Sequence, residues 1–206
     1  VYCGDGREAF CASCGKAVGF IEENLGSEEK KVHVTMVGHT HIDTAWLWRL
    51  CHTREKCARS FSTVNRLMDR YPEYLFMHTS PQQYAYIKED YPEIYQKIRN
   101  RVQEGRWEPN GGMWVECDCN LPSGESFVRQ FLHGIRFFQK EFGAKSNCLW
   151  MPDVFGYSSA LPQIMKQCGI DTFITTKLAW NDQNSMPYDT FYWRGIDGSQ
   201  VVTHLI

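Results

Sequence analysis

The sequence lacks the features that mark membrane-spanning and nucleic-acid-binding proteins. None of its 206 residues lie in an apolar run approaching the ~20 residues that a membrane-spanning helix needs. With 22 basic and 24 acidic residues and a net charge of -2, it has no basic excess to attract nucleic acid or an anionic membrane. A secretory signal is also missing from the first residues, although the chain starts at Val1 and not at Met. We therefore expect neither nucleic acid nor a membrane as partner.

The composition favours a folded domain over a disordered chain. Hydrophobic residues make up 43% of the sequence and aromatic residues 14%, which is enough for a sizeable core. One domain is the expectation, because domains mostly span ~100–200 residues. We interpret residues 1–30 as a helical remnant of a preceding domain with a polar linker, and residues 31–206 as the main domain.

The nine cysteines are an odd number for a fully disulfide-bonded protein. Cys11 and Cys14 have the spacing of half a zinc ribbon, but only Cys3 lies nearby, and such a site needs a second ligand pair. Buried free thiols are the preferred interpretation, and they favour a reducing, cytoplasmic location.

Strand-like and helix-like segments alternate along residues 31–206. Alternation and β-branched residues predict strands at 31–38, 74–80, 106–116, 147–153 and 171–177, followed by a hairpin at 190–206 with Asp197-Gly198 in its turn. Capping and breaking residues predict helices from Thr44 to Pro72, from Gln82 to Gly105 with a break near Pro92, from Ser123 to Gly143, and over 158–169. The pattern is typical of an α/β protein with a mainly parallel sheet or barrel.

Polar clusters follow four of the predicted strands. They are "HTHID" at 39–43, "WVECDCN" at 114–120, "PDVFGYS" at 152–158 and "KLAWND" at 177–182. In parallel α/β folds the chemistry gathers at the carboxyl ends of the strands. We therefore expect these loops to meet at one rim.

The first cluster has the spacing of a metal site. His39, His41 and Asp43 alternate, so in an extended segment their side chains project to the same side. Imidazole and carboxylate suit zinc or a similar divalent ion. The competing interpretation is that Asp43 caps the following helix while a histidine bonds the backbone; from this stretch alone both stay open.

The remaining clusters supply carboxylates and aromatic rings. Asp153 follows a proline and lies in a tight turn after a strand, where it points outward or caps a helix. Glu116 and Asp118 either bind sugar hydroxyls or are solvated. Aromatic side chains beside carboxylates suit sugar rings, although most of these rings are expected in the core; they are Trp46, Trp48, Trp107, Trp114, Phe155 and Trp180.

Four ordered segments together resemble the amino-terminal catalytic domain of glycoside hydrolase family 38, the class II α-mannosidases. They are "GHTHIDTAWLW", "GGMWVECDCNLPSGESFVRQF", "LWMPDVFGYSSALPQIMKQCGI" and "FITTKLAWND…MPYDTFYWRGIDGSQVVTH". The likeness runs over residues 31–206 and is greatest to the cytosolic and vacuolar subgroup and its bacterial relatives. It implies a distorted, seven-stranded parallel β/α barrel, incomplete in this chain, and cytoplasmic localisation, with a vacuolar or lysosome-like compartment as the alternative.

The resemblance also implies residue roles. It assigns zinc, with cobalt as the alternative, to His41, Asp43 and Asp153, and makes Asp153 the nucleophile of a retaining reaction. It assigns the sugar subsite to Trp46 and Phe155; Asp118 and Lys177 complete the expected substrate-binding set, although some relatives have arginine at the lysine position. His39 is expected to support the site without binding the ion.

Two expected groups are not assigned within the chain. The family's fourth ligand is a later histidine, for which His204 is a candidate by type, although an edge-strand histidine is more often structural. The general acid is expected beyond Ile206, so that this chain alone is expected to be inactive. The expected partner is an α-mannoside oligosaccharide, and a homo-oligomer of the whole protein stays open.

Three functions remain open at this stage. The first is hydrolysis of terminal α-linked mannose through a mannosyl-aspartate intermediate. A metal-dependent deacetylase or amidohydrolase also uses His and Asp at strand ends. The third is a non-catalytic sugar-binding fragment.

Overall fold

The computed structural model describes residues 35–206. The helices are α1 Leu50–Arg70, α2 Pro81–Asp90, α3 Pro92–Gln103, α4 Gly124–Phe142 and α5 Leu161–Gln167, with a 3-10 turn at Lys177–Ala179. The strands are β1 Phe76–His78, β2 Trp107–Pro109, β3 Cys148–Trp150, β4 Thr172–Thr175, β5 Thr190–Arg194 and β6 Gln200–Leu205. The predicted helix within 1–30, the Cys11–Cys14 pair and the start of the predicted first strand lie outside the described residues.

The strands form a mainly parallel series. β1 pairs with β2, and β3, β4 and β6 follow one another, all in parallel; β5 pairs antiparallel to β6. Parallel bridges from Gly38 to Phe76 and from Gly111 to Leu149 add the residues before β1 and link β2 with β3. The mixed α/β prediction is confirmed, and the tail forms the predicted hairpin, with Gly198 at φ 90° in its turn.

Most helix boundaries follow local signals in the sequence. The Ser123 side chain caps α4 by accepting a bond from the Ser126 amide at 3.3 Å, and Gly143 ends it in a left-handed conformation with φ 66°. The break near Pro92 separates α2 from α3, because proline starts a helix readily but interrupts one from within.

The predicted cap at Thr44 was wrong, because α1 begins six residues later at Leu50. Thr44 lies in a loop, and its carbonyl accepts a bond from the Thr53 hydroxyl at 2.9 Å. The Trp48 indole in turn donates to that hydroxyl at 3.0 Å. The hydrogen bonds that join Thr44 and Trp48 to Thr53 of α1 hold the segment before the helix as a loop, although its local sequence favours a helix.

Two apolar clusters surround the strands. One packs α1, α2 and α3 on β1 and β2, and it contains Phe61, Tyr84 and Trp107. The other packs α4 and α5 on β3 and β4. Trp107 belongs to the core, where its indole donates to the Tyr84 hydroxyl at 2.8 Å, and it does not line the rim.

Close packing of α4 fixes the loop after β2. A Cβ added at Gly134 would come within 2.3 Å of the Gly112 carbonyl oxygen. Gln130 of the same helix binds two amides of that loop, Trp114 through its backbone carbonyl at 2.9 Å and Val115 through its side chain at 3.0 Å. The residues that follow are therefore held in a defined position.

No helix among residues 35–206 combines the length and the apolar character that crossing a membrane requires.

Candidate metal and catalytic site

Four chain segments meet around a cavity of about 240 Å³. Of the four polar clusters predicted to meet at one rim, three contribute to its lining and residues 177–182 do not. The titratable side chains of the lining are His41 and Asp43 from the loop after Gly38, Glu116 from the loop after β2, and Asp153 from the loop after β3. The other lining residues are Ile42, Thr44, Ala45, Ser80 and Val115.

His41, Asp43 and Asp153 form a group that could hold a metal ion. The imidazole Nε2 of His41 lies 3.3 Å from Asp43 Oδ1 and 3.5 Å from Asp153 Oδ2. One donor atom from each side chain lies within 4.8 Å of the other two. One imidazole nitrogen and two carboxylate oxygens are a donor set of the kind that catalytic divalent ions use, with room for a further ligand. This cluster is compatible with a metal site.

The electrostatics of His41 reflect the density of negative charge. Burial alone would lower its pKa, but the adjacent Glu116 carboxylate, followed by Asp43 and Asp153, outweighs burial and raises the pKa to about 9. In the absence of a metal ion, the His41 proton therefore supplies the positive charge among these carboxylates.

Asp153 faces a second positive charge. Its Oδ1 lies 2.6 Å from Lys177 Nζ, whose side chain is only 7% exposed. The ammonium also sits over the rings of Phe155, at 4.5 Å from the centroid, and Trp180, at 3.4 Å. The two oxygens of Asp153 thus face different groups, Oδ2 the histidine and Oδ1 the lysine.

His39 differs from His41 although the sequence places both in one motif. Its Nδ1 lies 3.0 Å from the Met77 carbonyl oxygen, and its Nε2 lies 3.1 Å from the Trp150 indole nitrogen. A carbonyl only accepts and an indole only donates, so Nδ1 carries the proton and Nε2 accepts. Burial is the main reason that the pKa of His39 is lowered. Both nitrogens are engaged, which leaves none to bind an ion.

A buried amide connects the metal-binding loop to the core. The Gln83 side chain accepts from His78 Nε2 at 2.9 Å and donates to the Ile42 carbonyl at 2.6 Å. Ile42 lies between His41 and Asp43, so this pair of bonds fixes the loop that carries them. Sequence reasoning missed Gln83, because nothing in the helix pattern indicated a partner 41 residues earlier.

The sequence also left the role of Glu116 undecided. Its Oε2 lies 3.0 Å from His41 Nδ1, and its Oε1 accepts from the Thr79 hydroxyl at 2.6 Å. With a side chain that is only 10% exposed, Glu116 is no solvated loop residue. It faces the histidine of the cluster.

The residues predicted to bind sugar differ in exposure, and none of them is among the residues that line the cavity. Trp46 is 56% exposed and Phe155 is 64% exposed, so both present free ring surface. Asp118 is exposed, and its Oδ1 accepts from the backbone amides of Asn120 at 2.7 Å and Leu121 at 2.8 Å. That oxygen stabilises its own turn.

His204 lies on β6, apart from the group formed by His41, Asp43 and Asp153. Its Nδ1 lies 2.8 Å from the Thr190 hydroxyl of the neighbouring strand β5. Among the described residues it therefore takes part in a cross-strand hydrogen bond.

Comparison with known proteins identifies relatives of the chain. It is 52% identical over 194 residues to "Alpha-mannosidase G" of Dictyostelium discoideum, covering 94% of this chain and 18% of that protein. It is 48% identical over 197 residues to "Alpha-mannosidase 2C1" of Homo sapiens, covering 96% of this chain and 19% of that protein. The chain thus spans about a fifth of the length of these relatives.

A solved structure shares the fold. The crystal structure of an alpha-mannosidase from Enterococcus faecalis V583 superimposes with a TM-score of 0.73 at 24% identity, covering 82% of this chain and 19% of that one. Residues 31–206 match the family model "Glycosyl hydrolases family 38 N-terminal domain". The chain therefore belongs to glycosyl hydrolase family 38.

Proposed function

We propose that the whole protein hydrolyses terminal α-linked mannose from oligosaccharides, including glycans derived from N-glycoproteins. The observation that carries the proposal is the placement of Asp153, which faces His41 with one oxygen and Lys177 with the other and lies in one group with Asp43. The names of the relatives, "Alpha-mannosidase G" and "Alpha-mannosidase 2C1", support the same substrate class.

Zinc is the proposed ion at the cluster. A tetrahedral zinc ion with bonds of about 2.0–2.2 Å separates neighbouring ligand atoms by about 3.4 Å. The separations of 3.3 Å and 3.5 Å between His41 Nε2 and the two carboxylate oxygens fit that spacing. Cobalt accepts the same ligands and geometry, so it is the expected substitute. When bound, the ion would supply a Lewis acid for neighbouring hydroxyls of the substrate, such as the cis pair of mannose.

Asp153 is the proposed nucleophile of a retaining reaction. One of its oxygens would form a bond to the anomeric carbon while the glycosidic C–O bond breaks, giving a mannosyl-aspartate intermediate that water then hydrolyses. The leaving oxygen takes a proton from a general acid that we assign to a part of the protein beyond Ile206. The ammonium of Lys177 holds one carboxylate oxygen of Asp153 and limits the rotation of that carboxylate.

The exposed aromatic rings are proposed to bind the sugar. Trp46 and Phe155 expose apolar ring surface and follow Asp43 and Asp153 closely in the chain, and such rings pack on the C–H faces of pyranoses. Asp118 would contribute through its second carboxylate oxygen, because its first is used in its own turn. Lys177 would act on the substrate through Asp153.

The wider architecture belongs to the same proposal. The parallel series from Gly38 through β1, β2, β3, β4 and β6 fits part of a distorted, seven-stranded β/α barrel. We assign residues 31–206 to the amino-terminal part of this catalytic barrel and residues 1–30 to a separate, preceding segment. Six cysteines in the described part are free thiols, which supports a cytoplasmic location. A homo-oligomer of the whole protein is compatible with the proposal.

Activity measurements on the full gene product test the proposal. We expect hydrolysis of an aryl α-mannoside, loss of that activity on treatment with a chelator, and recovery on addition of zinc. Release of acetate from an acetylated sugar without mannoside hydrolysis would instead indicate a deacetylase. Sugar binding without turnover would indicate a binding protein, and mannoside hydrolysis by residues 1–206 alone would contradict the assignment of the general acid.

A further inference from the structure

We propose that Glu116 is a positioning residue that fixes the tautomer and ring orientation of His41, so that Nε2 is presented to the metal ion. The inference rests on the proposed function and deepens it, because it assigns a role to a carboxylate that binds neither the ion nor the sugar. The two imidazole nitrogens of His41 have different surroundings, and the role of Glu116 follows from this difference.

The two ring nitrogens of His41 face different carboxylates of the site. Nε2 lies next to the carboxylates of Asp43 and Asp153, whereas Nδ1 lies 3.0 Å from Glu116 Oε2. A neutral imidazole has one N–H and one lone pair. A carboxylate that faces Nδ1 keeps the proton on that nitrogen, and the lone pair of Nε2 is then free for the ion.

The carboxylate of Glu116 is held in place beside Nδ1 of His41. Its Oε1 accepts from the Thr79 hydroxyl at 2.6 Å, which fixes the carboxylate plane from the loop after β1. Its Oε2 is buried and forms no hydrogen bond within residues 35–206, and the nearest possible donor that faces it is His41 Nδ1 at 3.0 Å. A buried carboxylate oxygen left without a donor is costly, so Oε2 draws the Nδ1–H of His41 towards itself and thereby orients the ring.

The backbone around Glu116 is fixed by α4. Gln130 binds the amides of Trp114 and Val115, the two residues before it. Three separate elements, α4, the loop after β1 and the loop after Gly38, therefore determine where this carboxylate lies. That arrangement suits a rigid support for a ligand.

A second interpretation would make Glu116 a ligand itself. His39, His41 and Glu116 also have donor atoms close together. However, both nitrogens of His39 are engaged by Met77 and Trp150, so this group offers only His41 and Glu116 to an ion. We therefore assign the ion to the group with Asp43 and Asp153, and support of His41 to Glu116.

Metal affinity of the full gene product tests the inference. We would measure the zinc dissociation constant by competition with a chromophoric chelator, and the visible ligand-field spectrum after loading with cobalt. Partners of metal-bound histidines typically contribute 10–100-fold in affinity. We expect about a 10-fold loss for Glu116→Gln, which keeps the shape, a loss nearer 100-fold for Glu116→Ala, and a smaller loss for Thr79→Val. The cobalt spectra of the Glu116 variants should shift as the ring reorients.

Two controls separate positioning from a general structural role. Glu125→Gln changes an exposed carboxylate in the first turn of α4, which pairs with Arg129 at 2.8 Å, and should leave affinity and spectrum unchanged. Thermal unfolding of the apo variants, with affinities measured well below the midpoint, shows whether each variant is folded. A purely structural role would lower the midpoint without moving the cobalt spectrum, which would overturn the inference.

The outcomes distinguish this inference from the proposed function. Wild-type affinity and spectrum in Glu116→Ala, together with lost binding in His41→Ala, would overturn the role of Glu116 and leave the metal site standing. If the wild-type protein binds neither zinc nor cobalt, the proposed metal site itself fails, and the inference with it.

Discussion

Replacing Lys177 with methionine tests whether the charge beside Asp153 matters for the reaction. The substitution keeps most of the apolar stem but removes the ammonium that lies 2.6 Å from Asp153 Oδ1. A hydrogen bond to a charged group contributes ~1.5–3 kcal/mol. Because Asp153 is 35% exposed, solvent can replace part of that interaction, and we take the lower end, ~1.5 kcal/mol.

This magnitude converts into a kinetic expectation. If the whole effect appears in the transition state, kcat/KM for an aryl α-mannoside should fall about tenfold, since ~1.4 kcal/mol corresponds to a factor of ten. The loss should lie mainly in kcat, because the lysine contacts the nucleophile and not the sugar. Lys177→Arg, which keeps the charge, should retain most of the activity.

A matched lysine provides the control. Lys166 pairs with Asp171, and both side chains are more exposed than the Lys177 pair, so Lys166→Met should change kcat/KM less than twofold, as surface ion pairs contribute only ~0–1 kcal/mol. Wild-type kinetics in Lys177→Met would contradict the expected role of this charge, because the closest charged contact of Asp153 would then have no part in catalysis.

Three further predictions concern the fold and the ligands. Gly134→Ala should lower the free energy of unfolding by ~1–3 kcal/mol, since the added methyl meets the loop after β2; Gly124→Ala, which meets nothing within 4 Å, is the control in the same urea titrations. His41→Ala should abolish zinc binding. His39→Gln should change zinc affinity less than threefold and lower the unfolding temperature. Equal losses of zinc affinity in the two variants would contradict our distinction between the two histidines. Burial lowers the pKa of His78 from 6.5 to about 3, so it stays neutral in the folded state while the unfolded chain takes up a proton below 6.5. Stability should therefore fall as the pH drops from 6.5 towards 3, and His78→Gln should show a shallower slope; an unchanged slope would contradict this.

Local sequence signals predicted much of the fold. Ser123 and Gly143 bound α4 because their capping interactions involve only neighbouring residues. Thr44 failed as a cap because a distant partner, the Thr53 side chain, holds its carbonyl outside the helix. Boundaries set by tertiary hydrogen bonds are invisible to a local pattern.

The candidate site likewise combines contacts that sequence patterns predict with contacts that depend on distant residues. Strand ends predicted that the polar loops would meet, because parallel strands bring their carboxyl ends to one edge, and the structure brings donor atoms of His41, Asp43 and Asp153 within 4.8 Å of one another. The support of His41 by Glu116 depends on a pairing between residues 75 positions apart, and no spacing rule predicts such a contact. The distinction between the two histidines likewise depends on Trp150, which lies 111 positions after His39.

The central claim, that Asp153 is the nucleophile of a retaining α-mannosidase, can be tested by covalent trapping. The full gene product would be incubated with a fluorinated mannoside that slows hydrolysis of the intermediate, digested, and mapped by mass spectrometry. The account predicts a single fluoromannosyl adduct on Asp153, lost in Asp153→Asn. An adduct on another carboxylate, or inactivation without any adduct, would contradict it.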